Sequence, residues 1–229
     1  MKHGIYYAYW EQEWSADYVK YVHKVSDLGF DILEIGGTPL PDYSQDQIHE
    51  LKAVSDTEGI ELTVGYGPSA AHNVGNPLVQ ESALEWYRRL FDVMDYYWMK
   101  DDKNISSLLK WYYRCNSICI PSSTGLCSLI FTCIVGALYS YWPVYFGKPL
   151  NKAEEWQHAV DGIQKLSELA KPHNIQLNLE CLNRFENYLL NTAQEGVQFV
   201  KEVDCDNVGV MLDTFHMNIE ETSISSAIR

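Results

Sequence analysis

Positive charge is scarce in this sequence. Its 229 residues include only 17 Lys and Arg against 31 Asp and Glu, which gives a formal net charge of −14. A surface with this excess of negative charge repels phosphate backbones and anionic lipid headgroups, so nucleic acid and membrane surfaces are not expected as partners. The composition favours a neutral small molecule instead.

Several sequence motifs are also missing. The N-terminal residues 1–7 contain neither a long apolar stretch nor a small-residue cleavage site, which predicts a cytoplasmic protein. The apolar run 126–139 is interrupted by polar residues and is shorter than the roughly 18 residues of a membrane span. The glycine-containing turns at 36–37 and 65–68 match no nucleotide-binding loop. The six cysteines form no C-x-x-C pair, so we predict free thiols rather than a disulfide framework or zinc ribbon: Cys115, Cys119, Cys127, Cys133, Cys181 and Cys205.

Short β-rich runs alternate with longer amphipathic patterns along the chain. This alternation is typical of βα units around a parallel sheet, and it predicts an α/β fold. With 46% hydrophobic residues, the whole chain, 1–229, is predicted to form one domain. Ser15 is predicted to cap the first helix, and Leu28 to end its apolar stripe. Strands are predicted at 4–10, 30–35, 60–65, 134–142, 175–180 and 207–213, with helices at 15–28, 44–58, 77–94, 151–170 and from 192 onward.

The alternation fails between residues 95 and 135. A connection between a helix and a strand normally takes about 2–6 residues, so this segment is an atypical insertion. Two interpretations stay open. The segment is either disordered or poorly packed, or it is an active-site lid or partner surface.

Two predicted strands end in a carboxylate that precedes a polar cluster. Glu180 precedes residues 181–186, and Asp213 precedes residues 214–218. Because strand ends of a parallel barrel converge on one mouth, both carboxylates are expected within reach of a single cation. Oxygen ligands with an imidazole suit Mn²⁺, Mg²⁺ or Co²⁺. The alternative is that Glu180 caps a turn, Asp213 caps a short helix and His216 is a structural histidine.

Aromatic residues are placed at predicted strand ends. Tyr6, Trp14 and Trp142 lie in or just past these ends, where a ring face can stack on a sugar. Taken singly, each of them is better explained as a core residue.

Long stretches of the sequence resemble the D-psicose (D-allulose)/D-tagatose 3-epimerases. The resemblance implies a xylose-isomerase-like TIM barrel, of which this chain contains about six of the eight βα units. It also implies an isomerase that inverts C3 of free ketohexoses such as D-fructose and D-psicose, with Mn²⁺ or Co²⁺ as cofactor, Mg²⁺ as a further candidate, and a homo-oligomer. The matching stretches are residues 1–10, GFDILEIG at 29–36, LTVGYGPS at 62–69, GALYSYWPV at 136–144, LNRFEN at 182–187, NTAQEGV at 191–197 and VMLDTFHMNIEE at 210–221.

The resemblance also implies roles for individual residues. Glu180 resembles a metal ligand that is also an acid/base carboxylate, and Asp213 resembles a second metal ligand. Glu186 and His216 resemble residues that hydrogen-bond the sugar near C2 and C3. In the implied mechanism one carboxylate removes the C3 proton to leave a metal-bound cis-enediolate, and another returns it from the opposite face. Five positions resemble the substrate-pocket lining: Tyr6, Trp14, Gly67, Ala137 and Trp142.

The resemblance further predicts a chain that is truncated at its C-terminal end. The family's remaining metal ligands, a His and a second catalytic Glu, come from strands seven and eight, which are not found in this sequence. Two hypotheses therefore stay open. The chain is a ketose 3-epimerase, or it is an inactive barrel remnant that binds sugar weakly or associates with a full-length homologue.

Overall fold

The structure is a computed structural model that describes residues 3–98, 120–121, 132–144 and 151–229. Most of the atypical insertion predicted at 95–135 lies outside the described residues, so its two interpretations remain predictions.

Six parallel strands form the sheet, in the order β1-β2-β3-β5-β6-β7. A two-residue strand, β4, pairs antiparallel with β7 at the edge of the sheet and was not predicted from the sequence. The six parallel strands agree with the predicted series of βα units. The bounds are β1 Gly4–Tyr6, β2 Ile32–Gly36, β3 Glu61–Gly65, β4 Ile120–Pro121, β5 Thr132–Gly136, β6 Ile175–Cys181 and β7 Val208–Leu212.

Helices lie between these strands and cover one face of the sheet. Buried side chains of α1 such as Val22 share one hydrophobic core with Leu33 and Ile35 of β2. None of the helices in the described ranges is both long and apolar enough to cross a membrane. The bounds are α1 Tyr18–Asp27, α2 Gln45–Glu58, α3 Gln80–Trp98, α4 Lys152–Ala170, α5 Ala193–Val203, α6 Thr214–Glu220 and α7 Ile224–Ala227.

Side-chain caps set two of the helix starts where the sequence predicted them. Ser44 forms a capping box with Gln47 at the start of α2, and Thr192 forms one with Glu195 at the start of α5. In each box the hydroxyl accepts a backbone N–H that has no partner within the helix. Gly59 caps the C-terminal end of α2, and its φ of 68° is the left-handed conformation that glycine adopts easily.

Three local predictions at the N-terminal end of the chain were wrong. The cap of α1 is Asp17 rather than Ser15, because the Asp17 carboxylate accepts the backbone N–H of Lys20. Leu28 follows the last helical residue and is 57% exposed, so it does not belong to the buried stripe. The first strand is shorter than predicted because residues 7–9 form a 3₁₀ turn directly after Tyr6.

Alternation along the strands directs one set of side chains to the face of the sheet opposite the helices. Leu179 and Cys181 of β6 belong to the hydrophobic core between sheet and helices, so Glu180 points to the other side. On β2, Glu34 lies between Leu33 and Ile35 of the core and likewise points inward. The inner face therefore carries acidic groups on two strands.

An ion pair joins the loop after β6 to the end of α6. Arg184 Nη2 lies 2.7 Å from Glu220 Oε2, and Arg184 Nε donates to Oε1 at 2.9 Å. The backbone N–H of Arg184 donates to the same Oε1 at 2.6 Å. The hydrogen bonds from Arg184 and its positive charge hold the pKa of Glu220 below its usual value.

We expect Glu220→Gln to lower the free energy of unfolding at pH 7 and to have a smaller effect in acid. A carboxyl whose pKa is lower in the folded state stabilises the fold above its unfolded-state pKa, about 4.3 for Glu. This stabilisation is lost as the pH falls through the folded-state pKa. Urea unfolding of both proteins at several pH values between 7 and 3 measures the effect. Glu50→Gln, at an exposed position of α2, is the control, and a difference that stays constant with pH would contradict the prediction.

Candidate active site

A cavity of about 460 Å³ lies at the carboxyl ends of the strands. Its volume falls in the range of small-molecule sites. It brings together all nine residues that the sequence singled out: Tyr6, Trp14, Gly67, Ala137, Trp142, Glu180, Glu186, Asp213 and His216. It is also lined by six residues that sequence reasoning did not select: Glu34, Gly65, Tyr66, Val135, Leu182 and Met211.

Three of these side chains form a cluster that fits a divalent cation. Glu180, Asp213 and His216 each offer one ligand atom, and the three atoms lie within 4.8 Å of one another. The carboxylates of Glu180 and Asp213 are donors that suit oxygen-preferring divalent metals, and the His216 ring lies beside them. Asp213 is at the same time the N-cap of α6, because its Oδ1 accepts the backbone N–H of Phe215 at 2.7 Å. The cap uses one carboxylate oxygen and leaves the other for a cation.

His216 presents a hydrogen-bond donor to the cavity. Its Nδ1 accepts the backbone N–H of Asn183 at 3.2 Å, so the neutral ring carries its proton on Nε2. Nε2 lies 3.6 Å from Glu180 Oε1. Burial lowers the pKa of His216, but the interaction with the nearby Glu180 carboxylate and the charges of Glu186 and Asp213 outweigh burial and raise it. A ring protonated on Nε2 is better suited to donate to a bound molecule than to ligate a metal.

Asn183 holds two of the predicted site residues in place. Its side chain is almost fully buried, and Nδ2 donates to Glu186 Oε1 at 2.7 Å and lies 2.8 Å from His216 Nδ1. The indole Nε1–H of Trp142 donates to the other carboxylate oxygen of Glu186 at 2.9 Å. Sequence reasoning placed Asn183 only within the polar cluster after Glu180, because no local pattern indicates its contact with His216.

Aromatic rings form one side of the cavity. The rings of Trp14 and Trp142 meet edge to face with centroids 5.5 Å apart, and Trp14 is 55% exposed, so Trp14 is not a core residue. A Cβ at Gly67 would meet only the Trp142 ring, at 3.9 Å. The exposed ring faces are suited to apolar contact with a sugar.

Glu34 is the acidic lining residue that sequence reasoning missed. It pairs in register with Tyr6 on β1 and Thr63 on β3. Burial and the negative charge of Glu180 raise the pKa of Glu34 to about 7, and the Thr63 hydroxyl acts in the opposite direction. The sequence offered one indication of this role, which is that Glu34 is the single carboxylate in the otherwise apolar strand ILEIG. Among the described residues that line the cavity there is no Lys or Arg, so its charge favours a cation.

The sequence and the fold of this chain match known proteins. The family model described as "Xylose isomerase-like TIM barrel" matches residues 122–228. The D-psicose 3-epimerase of Ruminiclostridium cellulolyticum is 49% identical, and that of Agrobacterium fabrum 40% identical; each match covers 100% of this chain and, respectively, 68% and 69% of the relative. The crystal structure of D-psicose 3-epimerase with D-tagatose from Clostridium cellulolyticum matches with a TM-score of 0.82 and 47% identity, over 99% of this chain and 68% of that chain.

These matches confirm the predicted fold class, an α/β fold of the TIM-barrel type that contains about six of the eight βα units. They also confirm the resemblance to the D-psicose 3-epimerases that was inferred from the stretches at 29–36, 182–187 and 210–221. The chain belongs to the D-psicose 3-epimerase family of xylose isomerase-like TIM barrels.

Proposed function

We propose that this protein is a ketose 3-epimerase that inverts C3 of free ketohexoses such as D-fructose and D-psicose. The observation that carries the proposal is the cavity of about 460 Å³ in which Glu180, Glu186 and His216 meet. The cavity suits a neutral six-carbon sugar in volume, and its aromatic side suits the carbon chain. The relatives named D-psicose 3-epimerase support the same reaction.

Glu180 and Asp213 are the residues that would hold a divalent cation. We propose Mn²⁺ or Co²⁺, with Mg²⁺ as a further candidate, because the donors are carboxylate oxygens. When bound, such a cation polarises the sugar carbonyl and so makes the C3–H bond more acidic.

The protein groups have separate tasks in the proposed reaction. Glu180 removes the C3 proton as a general base, and the electrons of the C3–H bond pass into a cis-enediolate of the sugar. The Nε2–H of His216 donates to a sugar oxygen beside Glu180. Glu186 accepts from a sugar hydroxyl in an orientation that Asn183 and Trp142 set. Inversion requires a proton to be delivered to the opposite face of C3, and we propose that solvent water delivers it there. The hydroxide that remains takes up the proton from Glu180 through solvent exchange.

Epimerisation of D-fructose in D₂O tests the proposal. The purified chain is incubated with D-fructose and Mn²⁺ or Co²⁺, and the products are followed by NMR. We expect D-psicose to form and deuterium to enter at C3, because the proton exchanges with solvent on the base. If neither D-psicose nor deuterium at C3 is detected, the proposal is contradicted. Sugar binding without either would support the inactive remnant instead.

We expect Asp213→Asn to weaken Mn²⁺ binding by about tenfold or more, because a neutral amide replaces an anionic ligand. The Asn side chain still accepts the Phe215 N–H, so the cap of α6 is retained. Titration of free Mn²⁺ by electron paramagnetic resonance gives the dissociation constants. Asp161→Asn, at an exposed position of α4, is the matched control. Equal dissociation constants for the two variants would rule out Asp213 as a ligand.

We also propose that residues 1–229 form a single barrel domain. The described strands belong to one continuous sheet, and the buried apolar residues form one core cluster. The predicted homo-oligomer stays a prediction.

A further inference from the structure

Glu34 lies on a different wall of the cavity from the proposed cation ligands. Two strands, β3 and β5, separate its strand β2 from β6, which carries Glu180. Glu34 pairs in register with Tyr6, and both side chains line the cavity. A molecule held at Glu180 and Asp213 by one end therefore extends toward Glu34 and Tyr6 with the other.

The neighbouring strand leaves room for the Glu34 carboxyl. A Cβ at Gly65 on β3 would lie 2.6 Å from Glu34 Oε1, which is closer than any stable contact of this kind. Because Gly65 has no side chain, the carboxyl occupies the space above it, at the cavity wall.

A carboxylate such as that of Glu34 is unusual at an inward-facing position of a barrel strand. The inward positions of TIM-barrel strands are dominated by branched apolar residues. Removing a carboxyl group from water is unfavourable unless another polar group replaces the water. Sugar hydroxyls both donate and accept hydrogen bonds, so a sugar in the cavity supplies the group that replaces it.

We propose that Glu34 binds a hydroxyl of the ketohexose at C4, C5 or C6, and that it thereby contributes to the choice among ketohexoses. The inference rests on the proposed function, because the proposed cation ligands fix which end of the sugar faces Glu34. A site that hydrogen-bonds a hydroxyl discriminates strongly against a molecule that lacks it, since the buried polar group then has no partner.

Sugar binding tests this assignment without requiring turnover. Dissociation constants are measured by calorimetry in the presence of Mn²⁺, for D-fructose and for its 4-deoxy, 5-deoxy and 6-deoxy derivatives. At pH 8.5, above the raised pKa of Glu34, we expect Glu34→Gln to weaken D-fructose binding by about tenfold, because a hydrogen bond to a charged group is replaced by a weaker one. One of the deoxy sugars should bind equally well to the variant and to the unaltered chain, because that sugar already lacks the contact.

The control is Glu61→Gln. Glu61 lies on β3, opposite Ile32 in the register, and does not line the cavity, so its replacement should leave all four dissociation constants unchanged. If Glu34→Gln fails to fold by circular dichroism, Glu34→Asp, which keeps the charge on a shorter side chain, should give the same pattern across the four sugars.

The outcomes separate this inference from the proposed function. Unchanged D-fructose binding by the Glu34 variant, or an equal loss for all four sugars, overturns the assignment of Glu34. Sugar binding without C3 epimerisation contradicts the proposed reaction and leaves the Glu34 contact supported if the pattern of one unaffected deoxy sugar holds. Absence of sugar binding by the unaltered chain overturns both.

Discussion

Glu180→Gln is expected to lower the rate of C3 epimerisation by roughly 10²–10⁴-fold, the range for loss of a general acid–base group. Gln has nearly the same shape as Glu but does not take up a proton at neutral pH. The substitution also removes a negative charge that lies within 4.8 Å of the ligand atoms of Asp213 and His216. The rate of D-psicose formation and the rate of deuterium entry at C3 should fall together, because both depend on removal of the C3 proton.

A matched control and a metal titration complete this test. Glu168→Gln, at an exposed position of α4, changes the net charge by the same amount far from the cavity and should leave the rate unchanged. Raising the Mn²⁺ concentration should not restore the activity of Glu180→Gln if the residue acts as a base. A variant that retained more than a tenth of the wild-type rate would show that another group removes the proton.

Gly136→Ala is expected to lower the free energy of unfolding by about 3 kcal/mol or more, from backbone strain and overpacking together. Gly136 ends β5 with a φ of 147°, a conformation that residues with a Cβ rarely adopt. The added Cβ would overlap the carbonyl oxygen of Tyr66, a backbone atom that moves only if the end of β3 moves. Because Tyr66 and Ala137 line the cavity, epimerase activity should fall as well. Urea unfolding followed by circular dichroism measures the change in stability.

Two glycine substitutions separate the causes of this effect. At Gly67, an added Cβ meets only the Trp142 ring at 3.9 Å, so Gly67→Ala should be nearly neutral. At Gly59, φ is 68° and nothing lies within 4 Å of an added Cβ, so Gly59→Ala reports the conformational strain alone. If Gly136→Ala were no more destabilising than Gly59→Ala, the overlap with Tyr66 would not be the cause.

Local chemistry explains why much of the fold was predictable. Ser44, Thr192 and Gly59 act within one turn of their own helix, so the sequence alone predicts what they do. The grouping of Glu180 with Asp213 was predictable for a different reason. Any parallel barrel brings the carboxyl ends of its strands to one mouth, whatever the details of its packing.

The remaining features depend on contacts between distant parts of the chain. Glu34 lines the cavity because β2 pairs in a particular register with β1 and β3, and Gly65 leaves space beside it. Asn183 becomes important through its contact with His216, 33 residues further on. Neither the position of Glu34 at the cavity nor the contact of Asn183 with His216 can be predicted from the periodicity of the sequence. The antiparallel pairing of β4 with β7 lies beyond local patterns for the same reason.

The acidic side chains that line the cavity affect the stability of the folded chain as well as the reaction. Glu34, Glu180, Glu186 and Asp213 face one space in which the described lining offers no Lys or Arg, so their mutual repulsion opposes the folded state. A cation that binds the folded chain in preference to the unfolded one shifts the folding equilibrium toward the native state by mass action. The supply of divalent metal would then set how much intact protein persists under heat or proteolysis, and not only how fast it works.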